Sequence, residues 1–176
     1  MSPAPHSMWT ADGLRYKDME QVQKISLFFL RVSLGWMFLY AGITKILNPE
    51  WSAAGYLKGA KTFAGFYQWL TQPEILPIVN FINEWGLTLL GASLILGIFV
   101  RLSGVLGAAL MAMYYFPILQ FPYPNAHSYI VDEHIIYAAV LLFLAVIKAG
   151  RVWGLERWCS NLPVCQKVSW LRNILG

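Results

Sequence analysis

Residues 30–45 read LRVSLGWMFLYAGITK and lie within an apolar run, residues 25–47, in which Arg31 and Lys45 are the only charged residues. At 1.5 Å per residue, a helix over this run would be about 35 Å long, enough to cross a hydrocarbon core of about 30 Å. Arg31, Gly35, Phe38, Gly42 and Lys45 are three or four positions apart, so they share one helix face. The stretch therefore predicts a membrane helix that turns two glycines and both of its charges toward other helices.

Three further apolar runs follow, at residues 77–100, 102–120 and 129–149. The composition agrees with a lipid environment, because 57% of the 176 residues are hydrophobic and 12% are charged, about half the charged share of an ordinary globular domain. We predict an all-α fold, an integral membrane four-helix bundle over residues 25–150. A polar leader occupies residues 1–24, and a basic tail rich in Trp occupies residues 151–176.

The long connection between the first two runs, residues 48–76, is not an ordinary polar loop. Its aromatic residues recur at roughly helical spacing, with Lys58 and Lys61 between them. This pattern is typical of an amphipathic segment that lies at the membrane interface, and we expect it to cover one end of the bundle. In the third run, Gly104, Ala108 and Ala112 share a face that allows close helix packing.

Orientation follows from the distribution of Lys and Arg. Nine of these residues precede the first run, follow the second or follow the fourth, against three on the other side. We therefore predict a protein of the cytoplasmic membrane with both termini in the cytoplasm, and no cleaved signal peptide. Cys159 and Cys165 would then be reduced thiols, whereas the inverse orientation would permit a disulfide.

The polar residues inside the runs fall at similar depth near the predicted outer end of the bundle. Buried ionisable groups in a membrane need partners or a function. Two structural explanations stay open: an ion pair between Lys45 and Glu84, and a hydrogen-bonded core histidine at His134. Asp132 is expected to cap the fourth helix, because negative charge suits a helix N-terminus. The candidate site residues are Lys45, Glu84 and His134 as catalytic groups, and Arg31, Tyr40, Glu133 and Tyr137 as cofactor-binding groups.

A quinone headgroup would suit such a cluster. Its two carbonyl oxygens need hydrogen-bond donors, which Lys45, Tyr137 and His134 supply, and its reduction needs a proton carrier such as Glu84 or Glu133. No second His stands at metal-ligand spacing, and no haem, iron–sulfur or nucleotide motif is present in the sequence. We expect no metal site, a quinone as the cofactor, and the lipid bilayer rather than nucleic acid as the partner.

Several motifs are similar to those of the DoxX/DoxD-like membrane proteins. The stretch quoted above resembles their first helix, and NEWGLTLLG (residues 83–91) with LGIFVRL (96–102) resembles the second helix and its exit. DEHIIY (132–137) and GRVWGLE (150–156) resemble the fourth helix of the DoxD-type branch. The resemblance implies a four-helix membrane bundle.

In that family the named activity is thiosulfate:quinone oxidoreductase, in which a DoxD-type subunit works beside a DoxA-type one. The resemblance marks Arg31, Lys45, Glu84, Arg101 and His134 as the positions to test. It implies a membrane subunit of a quinone-linked oxidoreductase with a DoxA-like partner. The alternative is a non-enzymatic membrane component that binds or passes a small solute or supports a partner complex.

Overall fold

The structure, a computed structural model, describes residues 16–156, with side chains from Glu20 onward. It is helical, and no strand is present over this range. The predicted cysteine chemistry and most of the Trp-rich tail lie outside the described residues. The helices are α1 (Tyr16–Ile46), α2 (Ala54–Lys58), α3 (Ala64–Trp69), α4 (Leu76–Leu96), α5 (Val100–Ile118) and α6 (Glu133–Val146), followed by a 3-10 turn over Ala149–Arg151.

Three of the helices within residues 16–156 are long and apolar enough to cross a membrane: Glu20–Ile46 of α1, α4 and α5. Their large apolar side chains point outward, as Phe29 and Leu89 show with 63% of each exposed. Apolar surface of this extent indicates a lipid environment. The fourth predicted run is different, because α6 has 14 residues, or about 21 Å of helix. The count of four spans therefore stays a prediction.

Helices α1, α4, α5 and α6 nevertheless share one apolar core. Leu34 of α1, Leu87 of α4, Met111 of α5 and Leu141 of α6 are all buried in it. Small residues bring the helices together: a Cβ added to Gly91 would lie 2.6 Å from the Leu39 Cα. Such close backbone approach is how membrane helices gain packing without a hydrophobic driving force.

Helices α5 and α6 meet through the small-residue face that the sequence predicts. A Cβ added to Gly104 would lie 2.7 Å from the Ala145 Cβ, so nothing larger than hydrogen fits there. Helix α4 ends at Gly97, whose φ of 65° is left-handed, and glycine adopts this conformation without steric cost. The chain then turns directly into α5.

Residues 51–72, which we call the cover, fold over the Lys45 end of the bundle. The predicted amphipathic segment is here two short helices, α2 and α3, rather than one. The cover is attached to the end of α5, where the Lys61 N–H donates to Pro117 O at 2.8 Å and the Thr62 hydroxyl donates to Leu119 O at 2.6 Å. The cover has a second, smaller apolar cluster on its buried side, formed by Ala53, Leu57, Ala60 and Tyr67.

Candidate functional site

A polar cavity of about 300 Å³ lies between the cover and the ends of the long helices. Residues of α1, α4, α5, α6 and the cover meet around it, and this polar cavity is therefore assembled from distant parts of the sequence. Its walls are formed by Lys45, Trp51, Ser52, Ala53, Tyr56, Asn83, Tyr114 and His134.

Lys45 brings the one ammonium group to the cavity wall. It stands in the last turn of α1, where its Nζ donates to Asn83 Oδ1 at 2.8 Å. The same Nζ lies 4.9 Å from the centroid of the Trp51 ring and 5.6 Å from that of Tyr114. Aromatic faces stabilise a cation at these distances. The ammonium is thus held by one amide and two rings, and no carboxylate of residues 20–156 lies within 4.0 Å of it.

Asp132 and His134 form a coupled pair at the start of α6. Asp132 is 3% exposed, and its Oδ1 caps the helix by accepting the N–H groups of His134 at 3.0 Å and Ile135 at 3.3 Å. Its Oδ2 accepts from His134 Nδ1 at 2.7 Å. Because a carboxylate can only accept, Nδ1 carries the hydrogen, and Nε2 is left available for a ligand. The predicted helix cap is confirmed.

Two tyrosines complete the polar wall. The Tyr114 hydroxyl is buried and has the Asn83 side chain beside it, but it has no partner in hydrogen-bond geometry within the described chain. The Tyr56 hydroxyl donates to Tyr114 O at 2.5 Å and ties the cover to α5. Burial raises the pKa of Tyr56 to about 12, so this phenol stays a neutral donor at physiological pH. Buried hydroxyls without partners are uncommon, and the one on Tyr114 marks a place where a ligand can accept a hydrogen bond.

The structure does not bring the seven predicted site residues together around one cavity. Lys45 and His134 line the cavity, but Glu84 does not. The ion pair between Lys45 and Glu84, one of the two structural explanations that the sequence left open, is not formed: the Lys45 ammonium donates to Asn83 instead. The two charges stay close enough to interact electrostatically but do not form an ion pair within 4.0 Å.

The remaining predicted residues lie away from the cavity wall. Tyr137 packs edge-on against Phe38 in the core, with 6.2 Å between ring centroids. Glu133 is exposed in the first turn of α6. Tyr40 is 61% exposed and stacks on Trp36 on the outer face of α1, so its expected place near the cluster is wrong.

Arg31 is fully buried at the opposite end of the bundle, about 21 Å from Lys45 along α1. Its Nη1 donates to Ala149 O at 2.6 Å and Val152 O at 3.0 Å, so it holds the turn after α6. Glu156, 1% exposed, is buried nearby. Desolvation raises the pKa of Glu156 to about 7, although the positive charges of Arg151, Arg31 and Lys148 act in the other direction. This end is a structural anchor, distinct from the polar cavity.

Sequence reasoning missed several residues of the cavity wall, chiefly Asn83, Tyr114, Trp51 and Tyr56. Asn83 was recoverable, since it is one of the few polar side chains within the second apolar run. Tyr114 was not, because a tyrosine in an aromatic-rich run carries no distinguishing signal. Trp51 and Tyr56 reach the site only because the cover folds back over it.

The fold and site together define a helical membrane protein with a polar cavity at one end, closed by a short helical cover. The sequence model of the DoxX family matches residues 26–119, a range that begins in α1, includes the cover and ends just after α5. The chain therefore belongs to the DoxX family. Comparisons with curated proteins and with solved structures found no match. Within residues 16–156, no group of three or more His, Cys, Asp or Glu is placed to hold a metal ion.

Proposed function

We propose that this chain is the membrane subunit of a quinone-linked oxidoreductase and that the polar cavity binds the quinone headgroup. The observation that carries the proposal is the convergence of three groups on one cavity: the Lys45 ammonium, the buried Tyr114 hydroxyl and the His134 imidazole, whose Nε2 becomes a donor once the ring is protonated. A cavity of about 300 Å³ is at the small end of the range for ligand sites, which suits a single ring.

The three groups match what quinone reduction requires. Each of the two carbonyl oxygens becomes a hydroxyl, so the quinone takes up two electrons and two protons. Lys45 and Tyr114 can donate hydrogen bonds to an oxygen as negative charge develops on it, which is the main electrostatic contribution to such a step. His134 can pass a proton through Nε2, and the Asp132 carboxylate stabilises the imidazolium that precedes the transfer.

The electrons must come from a donor outside this cavity. For thiosulfate, the donor that the family resemblance suggests, two dianions lose two electrons and join through a new S–S bond to give tetrathionate. We assign the donor site to a second polypeptide of the DoxA-like type, so that this chain supplies the quinone side of the reaction. Glu84, next to Asn83 and within electrostatic range of Lys45, is our candidate for relaying protons to the site.

The proposal is tested by thiosulfate-dependent quinone reduction in membranes that contain the full chain and its partner. Lys45→Met and His134→Ala should each lower turnover by about 100-fold or more, the usual effect of losing a general acid or a developing-charge donor. Two matched controls are available: Lys58, exposed on α2, and His127, exposed in the loop before α6. Lys58→Met and His127→Ala should retain activity.

Unchanged turnover in both cavity variants would refute the proposal. If the wild type instead binds a small solute in this cavity without reducing quinone, the non-enzymatic alternative is correct. Because Lys45 and His134 are partly exposed within the cavity, both variants are expected to fold, and their accumulation in membranes is measured alongside activity.

A further inference from the structure

A long apolar groove runs along the outer face of the bundle between α4 and α5. Its volume is about 720 Å³, and it extends from Ile82 and Met113 near the cover to Leu96 and Leu102 at the other end. Ile82 and Leu96 are 14 positions apart on α4, or about 21 Å along its axis. Its two hydroxyls are mutually satisfied, because Ser103 Oγ donates to Ser93 Oγ at 2.6 Å and Ser93 Oγ donates to Ile98 O. The groove therefore offers a purely apolar surface.

A third space of about 250 Å³ lies under the cover and shares wall residues with both the groove and the polar cavity. This middle space shares Ile82, Leu110 and Met113 with the groove. At its other side it shares Ala53, Tyr56, Asn83 and Tyr114 with the polar cavity. The three spaces thus adjoin one another in a row, and along this path the lining changes once, from hydrocarbon to the Lys45 cluster.

From this adjacency we infer that the ligand of the cavity is borne by the bilayer and enters between α4 and α5, with its hydrocarbon tail lying in the groove. The inference rests on the proposed function for the identity of the head, a quinone, and adds the tail and the route. A water-borne solute would need no groove, and a phospholipid has two tails and a head too bulky and charged for a cavity of about 300 Å³.

The groove is expected to act by orienting the ligand rather than by adding binding free energy. Lipid tails are as apolar as the groove, so moving a tail into it gains little hydrophobic free energy. The groove instead aligns the tail with the path, so that the attached ring arrives at Lys45 and Tyr114. Exposed Ser52 also lines the cavity, and a ring without a tail can enter on that side without passing the groove.

Two positions allow the groove to be filled without disturbing the core. A Cβ added to Gly86 meets nothing within 4 Å, and Ala109 is exposed on α5; both line the groove. Gly86→Leu and Ala109→Phe therefore place apolar side chains where the tail would lie. The matched control is Ala139→Phe, an exposed alanine on α6 that does not line the groove.

The experiment measures quenching of tryptophan fluorescence by two probes in nanodiscs that hold the full chain. One probe is a benzoquinone with a ten-carbon tail and the other is the same ring without a tail. The groove variants should raise the apparent Kd of the tailed probe about 10-fold, because a tail excluded from the groove no longer aligns the ring with the cavity; a tenfold change corresponds to about 1.4 kcal/mol. The tail-free probe and the Ala139→Phe variant should be unaffected.

Each result has a distinct meaning. If the groove variants bind both probes as the wild type does, the route is wrong while the headgroup site stands. If the wild type binds neither probe, the proposed function itself fails. A mutation-free check is a quinone with a photoreactive group on its tail, which should label Leu89 or Leu106 of the groove. Equal labelling of the exposed Leu142 and Phe143 on α6, or protection of the groove by added phospholipid, would overturn the inference.

Discussion

Asp132 is the residue on which the local structure of the site most depends, so its removal gives a sharp prediction. It accepts three hydrogen bonds: two from the first backbone N–H groups of α6 and one from His134 Nδ1. Replacing Asp132 with Ala leaves all three donors without an acceptor at a site where the side chain is 3% exposed.

The magnitude follows from the two roles. Loss of an N-cap costs about 1 kcal/mol, and loss of a hydrogen bond to a charged group costs about 1.5–3 kcal/mol. Asp132→Ala should therefore destabilise the protein by about 2.5–4 kcal/mol, which in a chain of this size lowers Tm by about 5–16 °C. Asp132→Asn keeps the cap, since Asn serves there as well as Asp, and should cost about 1 kcal/mol less.

Asp132→Asn has a further chemical consequence. An amide NH₂ at the Oδ2 position cannot accept from Nδ1, so the imidazole must take the other tautomer, with the hydrogen on Nε2. Proton transfer through His134 should then fall while the fold is kept. Combining Asp132→Asn with His134→Ala should lower turnover no further than His134→Ala alone, because both changes act through one imidazole.

Thermal unfolding in detergent and quinone reduction are the two assays. Glu133→Ala is the matched control, since it removes an exposed acidic residue from the same helix turn and should cost less than about 1 kcal/mol. An Asp132→Ala variant that melts within 1 °C of the control would refute the reasoning about the cap. Full activity in Asp132→Asn would refute the assigned role of the pair.

Three other predictions concern packing, pH and the cover. Gly91→Leu should prevent the close approach of α4 to Leu39 of α1 and abolish the accumulation of folded protein. Gel filtration in detergent measures this, and elution of the variant like the wild type would contradict the packing. The pKa of Glu156 in the folded protein, about 7, lies above the usual 4.5, so the free energy of unfolding should fall as pH rises from about 4.5 to 7. Glu156→Gln should flatten this pH profile and raise the free energy of unfolding by about 1–3 kcal/mol at pH 8. If the Tm of the variant, measured over this pH range, stays parallel to that of the wild type, the prediction is wrong. Tyr56→Phe removes the hydrogen bond to Tyr114 O that ties the cover to α5. It should speed proteolysis within the cover without lowering Tm by more than about 4 °C. An unchanged cleavage rate would contradict this role of Tyr56.

Much of the fold was readable from hydropathy and helical spacing. Residues 25–46 of the first run lie within α1, which begins earlier, at Tyr16 in the predicted leader. The charged stripe of the run turned inward because a period of 3.6 residues leaves no other arrangement once the opposite face is apolar. Gly35 and Gly42 of α1 and Gly104 of α5 were likewise correctly assigned to helix contacts. The start of the fourth run was predicted too early: residues 129–131 look apolar enough to be helical, but the backbone there belongs to a loop, where the Ile130 N–H donates to Pro122 O.

The sequence by itself determined that this chain is a membrane protein, that its helices pack through small residues and that Lys45 and His134 face the interior of the bundle. Those properties depend on composition and local period, which are visible along the chain. Tertiary structure decided which polar groups share a cavity. Asn83, rather than Glu84, accepts the hydrogen bond from Lys45, because α1 and α4 pack in that register. Trp51 and Tyr56 reach the site because the cover folds back onto α5 through hydrogen bonds between residues about 45 to 60 positions apart. Contacts at that separation leave no periodic trace in the sequence.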